Sequence, residues 1–178
     1  MNLKKIKIST LIITFILTFV CHFMYEWFPN LLTSIFFPVN ESIWEHMKML
    51  YTAILIGGLI EQLIIKKFKL YTNNNLLTLF IKSIISIPIF LIIYLPLYSF
   101  LGDNMILNIS VMIITLIIVE ILSYYLLKAK ELNFKNLLSA LIIIITYLVF
   151  SILTFYPPKN ELFYDKQDNK YGINNYEI

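Results

Sequence analysis

Each of the two histidines of this chain has an acidic residue within four positions, and histidine and carboxylate side chains together can bind a metal ion. His22 precedes Glu26 by four positions, so a helix would present both side chains on one face. His46 directly follows Glu45 in a second polar segment. Imidazole and carboxylate groups together suit Zn²⁺, Mn²⁺ or Fe²⁺. We therefore predict a divalent-metal site formed by His22, Glu26, Glu45 and His46, although their spacing matches no established metal-binding signature.

The same kinds of side chain also suit general acid–base catalysis, in which a carboxylate or an imidazole moves a proton to or from a reacting group. Glu45 and His46 are the catalytic candidates. Further residues are predicted to bind a ligand, namely Asn40, Glu41, Trp44, Lys48 and Glu120. The last of these interrupts an apolar run, where it is either a protonated hydrogen-bonding residue or part of a solute path.

Part of the second polar segment has a simpler interpretation as the start of a helix. Asn40 can cap such a helix, with Val39 and Trp44 as a hydrophobic staple. Alternatively Ser42 is the cap and Glu45 completes a capping box. Acidic residues in a first helical turn also complement the helix dipole. Neither arrangement requires a histidine, so helix capping alone does not account for the predicted site.

The composition identifies a membrane protein. Apolar and aromatic residues make up 59% of the 178 residues, charged residues make up 14%, and the mean hydropathy is +0.78. Soluble domains carry about 25% charged residues, so a soluble or disordered chain is excluded. The one cysteine excludes an intramolecular disulfide and a thiolate zinc cluster. The lipid bilayer is the predicted partner, nucleic acid is not, and the sequence identifies no partner protein.

An all-α fold follows, in which a bundle of transmembrane helices positions the polar residues. Apolar runs long enough to span a bilayer predict five helices, at about 6–25, 41–65, 76–99, 105–127 and 137–156. A shorter apolar stretch between Pro29 and Pro38 predicts an interfacial or re-entrant segment. The bundle forms one domain, 1–157, followed by a polar tail over 158–178 that is either a small hairpin or disordered.

The lysines predict the orientation of this bundle. Three lysines lie before the first predicted helix or at its start, and three lie in each of the second and fourth connections, whereas the first and third connections contain none. The positive-inside rule then places the N-terminus in the cytoplasm and the C-terminus outside. The histidines consequently lie at the outer ends of the first two helices. The absence of arginine and the abundance of Ile, Asn and Lys predict the plasma membrane of a low-GC bacterium.

Two motifs and the tail resemble an uncharacterised family of small bacterial polytopic membrane proteins, a domain of unknown function. The motifs are H-F-x-Y-E-W from His22 and P-V-N-E-S-x-W-E-H-x-K from Pro38. The tail contains Pro157-Pro158, Phe163, Asp165 and Tyr171-Gly172-Ile173. The resemblance implies that the two helix ends and the tail form one feature, and it implies no activity. Family tails often read Asp-Pro-x-Thr, and here Lys166 replaces the proline.

Three functions remain open at this point. The first is a polar or metal-binding site at the outer ends of the first two helices, acting as a hydrolase on a lipid or envelope substrate. The second is a small solute-binding or transport subunit, in which Glu120, within the fourth predicted helix, would form part of the solute path. The third is a structural accessory protein in which the motif locks two helices together. The sequence does not establish whether the protein is an enzyme.

Overall fold

The long apolar runs form helices in the computed structural model of the protein. The structure describes residues 2–102, 104–132, 134 and 136–173. Within them lie six helices, α1 (Leu3–Trp27), α2 (Leu31–Phe36), α3 (Ile43–Lys67), α4 (Asn75–Leu101), α5 (Met105–Lys128) and α6 (Asn136–Phe155). All except α2 are long and apolar enough to cross a membrane. The predicted all-helical fold with five candidate spans is confirmed, and the chain is a multi-pass membrane protein by the length and composition of its helices.

The start of α3 distinguishes between the two capping interpretations. Ser42 is the cap, and its hydroxyl accepts a hydrogen bond of 3.3 Å from the backbone N–H of Glu45. The Glu45 side chain does not complete a capping box, because its carboxylate contacts other partners described below. Residues 40 and 41 therefore precede the helix, and their side chains do not follow its periodicity.

Helix α3 lies at the centre of the bundle and packs against α1 and α4 through adjacent glycines. A Cβ atom on Gly57 would lie 2.1 Å from Thr14 Oγ1 of α1. One on Gly58 would lie 2.4 Å from a methyl group of Leu79 in α4. Small residues allow helix backbones in membranes to approach closely. This approach brings the C-terminal part of α1 against the N-terminal part of α3.

The chain reverses direction between successive long helices, which divides its polar residues between two ends. The histidine end contains His22 near the end of α1 and His46 near the start of α3. The C-terminal parts of α4 and α6 and the N-terminal part of α5 lie at the same end. The lysine end contains Lys7 of α1 and Lys82 of α4.

The tail folds against the histidine end. Strand β1 (Tyr164–Asp165) pairs antiparallel with β2 (Lys170–Tyr171), so the described part of the tail forms a small hairpin. Gly172 then adopts a positive φ of 60°, and a Cβ atom there would lie 2.5 Å from the carbonyl oxygen of Thr154. A glycine is required at this position, because it adopts positive φ readily and has no Cβ to collide with the end of α6. Residues 174–178 of the predicted tail lie outside the described residues.

Candidate functional site

Two histidines and one glutamate converge at the histidine end. His22 Nε2 lies 3.4 Å from Glu41 Oε2, and His46 Nε2 lies 3.5 Å from the same oxygen. The two imidazole rings are 5.5 Å apart, centre to centre. One potential ligand atom from each residue lies within 4.8 Å of the others. We call His22, Glu41 and His46 the triad.

Hydrogen bonds orient two members of the triad. His46 Nδ1 donates to the carbonyl oxygen of Ser42 at 2.9 Å, because a carbonyl can only accept. With a proton held on Nδ1, the nitrogen that faces Glu41, Nε2, is the one available to bind a metal ion. The backbone N–H of Glu41 donates to Asp165 Oδ2 at 3.1 Å. Histidines that bind metals commonly donate their other ring N–H in this way.

The electrostatic environment keeps Glu41 ionised. The hydrogen bond with His22 lowers the pKa of the Glu41 carboxyl below its ordinary value, and the nearby His46 acts in the same direction, whereas partial burial opposes them. A lowered pKa means that these contacts stabilise the fold above the ordinary pKa and are lost as the pH falls through the lowered one. At neutral pH the triad therefore presents a carboxylate, the form that binds a cation.

The triad lies on the wall of a cavity of about 460 Å³ between α1, α3, α4 and α5. Apolar side chains form the deeper part of the lining, among them Leu50, Phe90 and Met112. The tail lies over the polar end and adds Glu161, Tyr164, Lys166 and Gln167 to the lining. A volume of several hundred Å³ is typical of small-molecule sites.

The tail is attached to the segment that carries Glu41 through its backbone. Asn40 Nδ2 donates to the carbonyl oxygen of Gly172 at 3.0 Å, and the backbone N–H of Trp44 donates to the carbonyl oxygen of Leu162 at 2.9 Å. Asp165 is fully buried, and its carboxylate also accepts the backbone N–H groups of residues 167 and 168. The motif and the tail thus form one unit, as the family resemblance implies.

We expect Asp165→Ala to release the tail and to misplace Glu41. The substitution removes the acceptor of three partly buried hydrogen bonds, of which the one from Glu41 ties the tail to the segment before α3, and each such bond contributes about 0.5–1.5 kcal/mol. Trypsin should then cleave after Lys159 and Lys166 faster than in the parent protein, and the thermal unfolding temperature should fall. Asp168→Ala is the control, because Asp168 is exposed. Equal cleavage rates for the two variants would contradict the assignment of Asp165 as the anchor.

The structure places the other predicted metal ligands outside the triad. Glu26 is exposed at the end of α1, and among the described residues it does not join the group within 4.8 Å. Glu45 is turned away from the cavity and is 2.6 Å from Lys48 Nζ. Its carboxylate also accepts hydrogen bonds from the Thr154 hydroxyl at 2.6 Å and the Val39 N–H at 3.2 Å. The carboxylate that meets the histidines is therefore Glu41, which the sequence suggested as a binding residue.

Glu45 and Lys48 belong to a buried polar network between three helices. Their side chains are 2% and 0% exposed. Lys48 Nζ also donates to the carbonyl oxygen of Ser34 in α2 and to the hydroxyl of Thr154 in α6. Trp44 packs beside this network against the rings of Phe150 and Phe163, at 5.1 and 4.9 Å. These contacts hold α2, α6 and the tail against α3.

Glu120 lies in a second buried network, at the lysine end. It pairs with Lys7 at 3.0 Å and with Lys82 at 3.0 Å, and Glu61 pairs with the same lysines at 2.5 and 2.8 Å. All four side chains are at most 7% exposed, and we call them the charge quartet. Lys7 also donates to the hydroxyl of Ser123. In the sequence, the feature that indicates this network is Lys82, a charged residue inside an apolar run.

Comparison with known proteins places the chain in a family. No curated protein and no solved structure matches it. The sequence model of the family DUF6512, a family of unknown function, matches residues 1–173, which include the six helices and the hairpin described above. The match therefore extends over both the triad and the tail that covers it. Because it spans nearly the whole sequence, and in agreement with the resemblance seen in the motifs, the chain belongs to the DUF6512 family of unknown function.

Proposed function

We propose that this membrane protein binds one divalent metal ion at the triad and uses it to act on a ligand in the adjacent cavity. The observation that carries the proposal is the convergence of two imidazole nitrogens and one carboxylate within 4.8 Å. Sites with three protein ligands and an open position are typical of catalytic zinc, and two histidines with one carboxylate also bind Fe²⁺. The cavity would supply space for the molecule at the open position.

The distances within the triad support a metal site. Two nitrogen or oxygen ligands at about 2.0–2.1 Å from a tetrahedral zinc ion lie about 3.3 Å from each other. The separations from Glu41 to the two histidines are 3.4 and 3.5 Å. Two of the three separations in the triad therefore match those of a tetrahedral site, and an ion bound there could activate a water molecule for hydrolysis.

The lysine distribution supports an extracytoplasmic location for this site. The exposed Lys66 and Lys67 and the exposed Lys128 lie at the end of the bundle opposite the triad. The positive-inside rule assigns that end to the cytoplasm. The triad, the cavity and the C-terminal tail would then face the outside, and the composition supports the plasma membrane of a low-GC bacterium.

Metal content of the purified full-length protein tests the proposal directly. Elemental mass spectrometry should find about one equivalent of Zn, Mn or Fe in the parent protein. Glu41→Gln and the double variant His22→Ala/His46→Ala should lose the metal while remaining monodisperse. Glu26→Gln is the matched control, since it removes a nearby exposed carboxylate, and it should keep the metal. A parent protein without metal would overturn the proposal, as would loss of the metal from Glu26→Gln but not from Glu41→Gln.

The cavity favours a second candidate function, that of a solute-binding subunit without metal chemistry. Its volume of about 460 Å³ and its mixed lining are sufficient for a small ligand. This function predicts thermal stabilisation by a solute in metal-free protein. Stabilisation that appears only after metal is added would favour the metal site.

A further inference from the structure

The cavity reaches from the histidine end deep into the span of the helices. Its lining includes Phe90, eleven residues before Leu101 at the end of α4, and Met112, seven residues after Met105 at the start of α5. At a rise of about 1.5 Å per residue, these positions lie about 10–16 Å below the helix ends. Half of a bilayer's hydrocarbon core is about 15 Å thick. The cavity therefore extends through the depth that one leaflet's acyl chains occupy.

One flank of the cavity faces the surroundings of the bundle between α1 and α5. Phe19 and Phe23 of α1 line the cavity and are also 38% and 40% exposed. Met105 of α5 lines it and is 73% exposed. On a membrane-spanning bundle such side chains contact lipid. The tail covers the end that would face water, so this flank offers a route from the bilayer.

The lining separates into a polar and an apolar part along this depth. The triad and Lys166 lie at the upper end, where the Lys166 ammonium is 4.8 Å from the centre of the Tyr98 ring. Leu50, Phe90 and Met112 lie below them. A ligand that fits both parts has a polar headgroup and an apolar chain.

We propose that the cavity holds a lipid with a phosphate-bearing headgroup, which is taken laterally from the bilayer between α1 and α5. The acyl chain occupies the apolar part, and a phosphate oxygen takes the open position of the metal at the triad. A divalent ion held by the Glu41 carboxylate retains a net positive charge, and at the same end the charges of Lys166 and Glu161 offset each other. The headgroup contact rests on the proposed metal site, whereas the chain-binding part depends on the cavity alone.

Photolabelling of the full-length protein tests this assignment. The probe is phosphatidylglycerol with a diazirine in its acyl chain, added to the protein in nanodiscs of digalactosyldiacylglycerol, a bilayer lipid without phosphate. Irradiation should label peptides that contain residues 18–23 and 105–112. Ile109→Trp, which fills the cavity from α5, should lose this labelling. The control Ile114→Trp changes an exposed residue of the same helix outside the lining and should keep it.

Competition distinguishes the source of the headgroup contact. Unlabelled phosphatidylglycerol should suppress the labelling, whereas diacylglycerol and glycerol phosphate should not. Equal competition by diacylglycerol would overturn the phosphate contact. If Ile109→Trp does not fold, Ile109→Phe serves as the milder variant, and the labelled peptides of the parent protein still decide the question.

Metal content measured on the same samples separates this inference from the proposed function. A metal-loaded parent protein without label at these peptides would overturn the lipid assignment and leave the metal site intact. Labelled peptides in a protein without metal would support the lipid cavity and overturn the metal-dependent headgroup contact. Both signals together would support lipid phosphate as the ligand class of the site.

Discussion

Lys82→Met is expected to lower the free energy of unfolding by about 3–5 kcal/mol, because it leaves a buried carboxylate without its partner. Lys82 is 2% exposed and pairs with both Glu61 and Glu120. Without it, Lys7 alone balances two carboxylates, and the charge quartet carries a net negative charge inside the bundle. Unfolding in detergent, followed by the loss of helical circular dichroism, measures the change.

A compensating variant separates the charge imbalance from the loss of packing. Lys82→Met/Glu120→Gln leaves Lys7 and Glu61 as a balanced pair at 2.5 Å, so it should recover a large part of the lost stability. Lys66→Met is the matched control, because Lys66 is exposed on α3, and removing a surface charge costs about 1 kcal/mol or less. If Lys82→Met were as stable as Lys66→Met, the quartet would not hold the helices together.

Lys48→Met is expected to destabilise the protein by a similar amount, about 3–5 kcal/mol, at the opposite end of the bundle. The ammonium of Lys48 is fully buried, is 2.6 Å from Glu45, and reaches Ser34 of α2 and Thr154 of α6. Its loss leaves the Glu45 carboxylate buried beside neutral donors. The thermal unfolding temperature should fall sharply, and Glu45→Gln/Lys48→Met should recover part of the difference.

The same series decides whether Glu45 is a structural or a functional residue. We expect Glu45→Gln to lose stability and to keep its metal per folded molecule, because its carboxylate faces Lys48 and not the triad. Lys159→Met, which changes an exposed lysine at the same end, is the control for the positive charge lost in Lys48→Met. A Glu45→Gln protein of unchanged stability that has lost its metal would make Glu45 a ligand after all.

The sequence paired His46 with Glu45, whereas in the structure the carboxylate 3.5 Å from His46 Nε2 is that of Glu41. Adjacent helical residues point in different directions, and in the structure Glu45 contacts Lys48 while His46 faces the cavity. The sequence could not place Glu41, which precedes α3 and follows no helical periodicity. Its position depends on the hydrogen bond to Asp165, 124 residues further along the chain.

The lysines show a similar limit. Lys7 belongs by position to a cluster that indicates membrane orientation, yet in the structure it is buried against Glu61 and Glu120. Charge counting near the ends of apolar runs cannot distinguish a lysine in the headgroup region from one that faces the bundle interior. The distinction requires the relative rotation and depth of the helices, which their packing sets.

The sequence by itself determined the fold class and the end of the bundle at which the histidines meet. Long apolar runs satisfy their backbone polar groups in a membrane as helices, and their alternating direction brings His22 and His46 to the same end. Only the tertiary structure decided which carboxylate joins them, that the tail covers the cavity, and that two ionic networks are buried. Those features depend on loops and on contacts between distant residues, for which a periodic pattern carries no information.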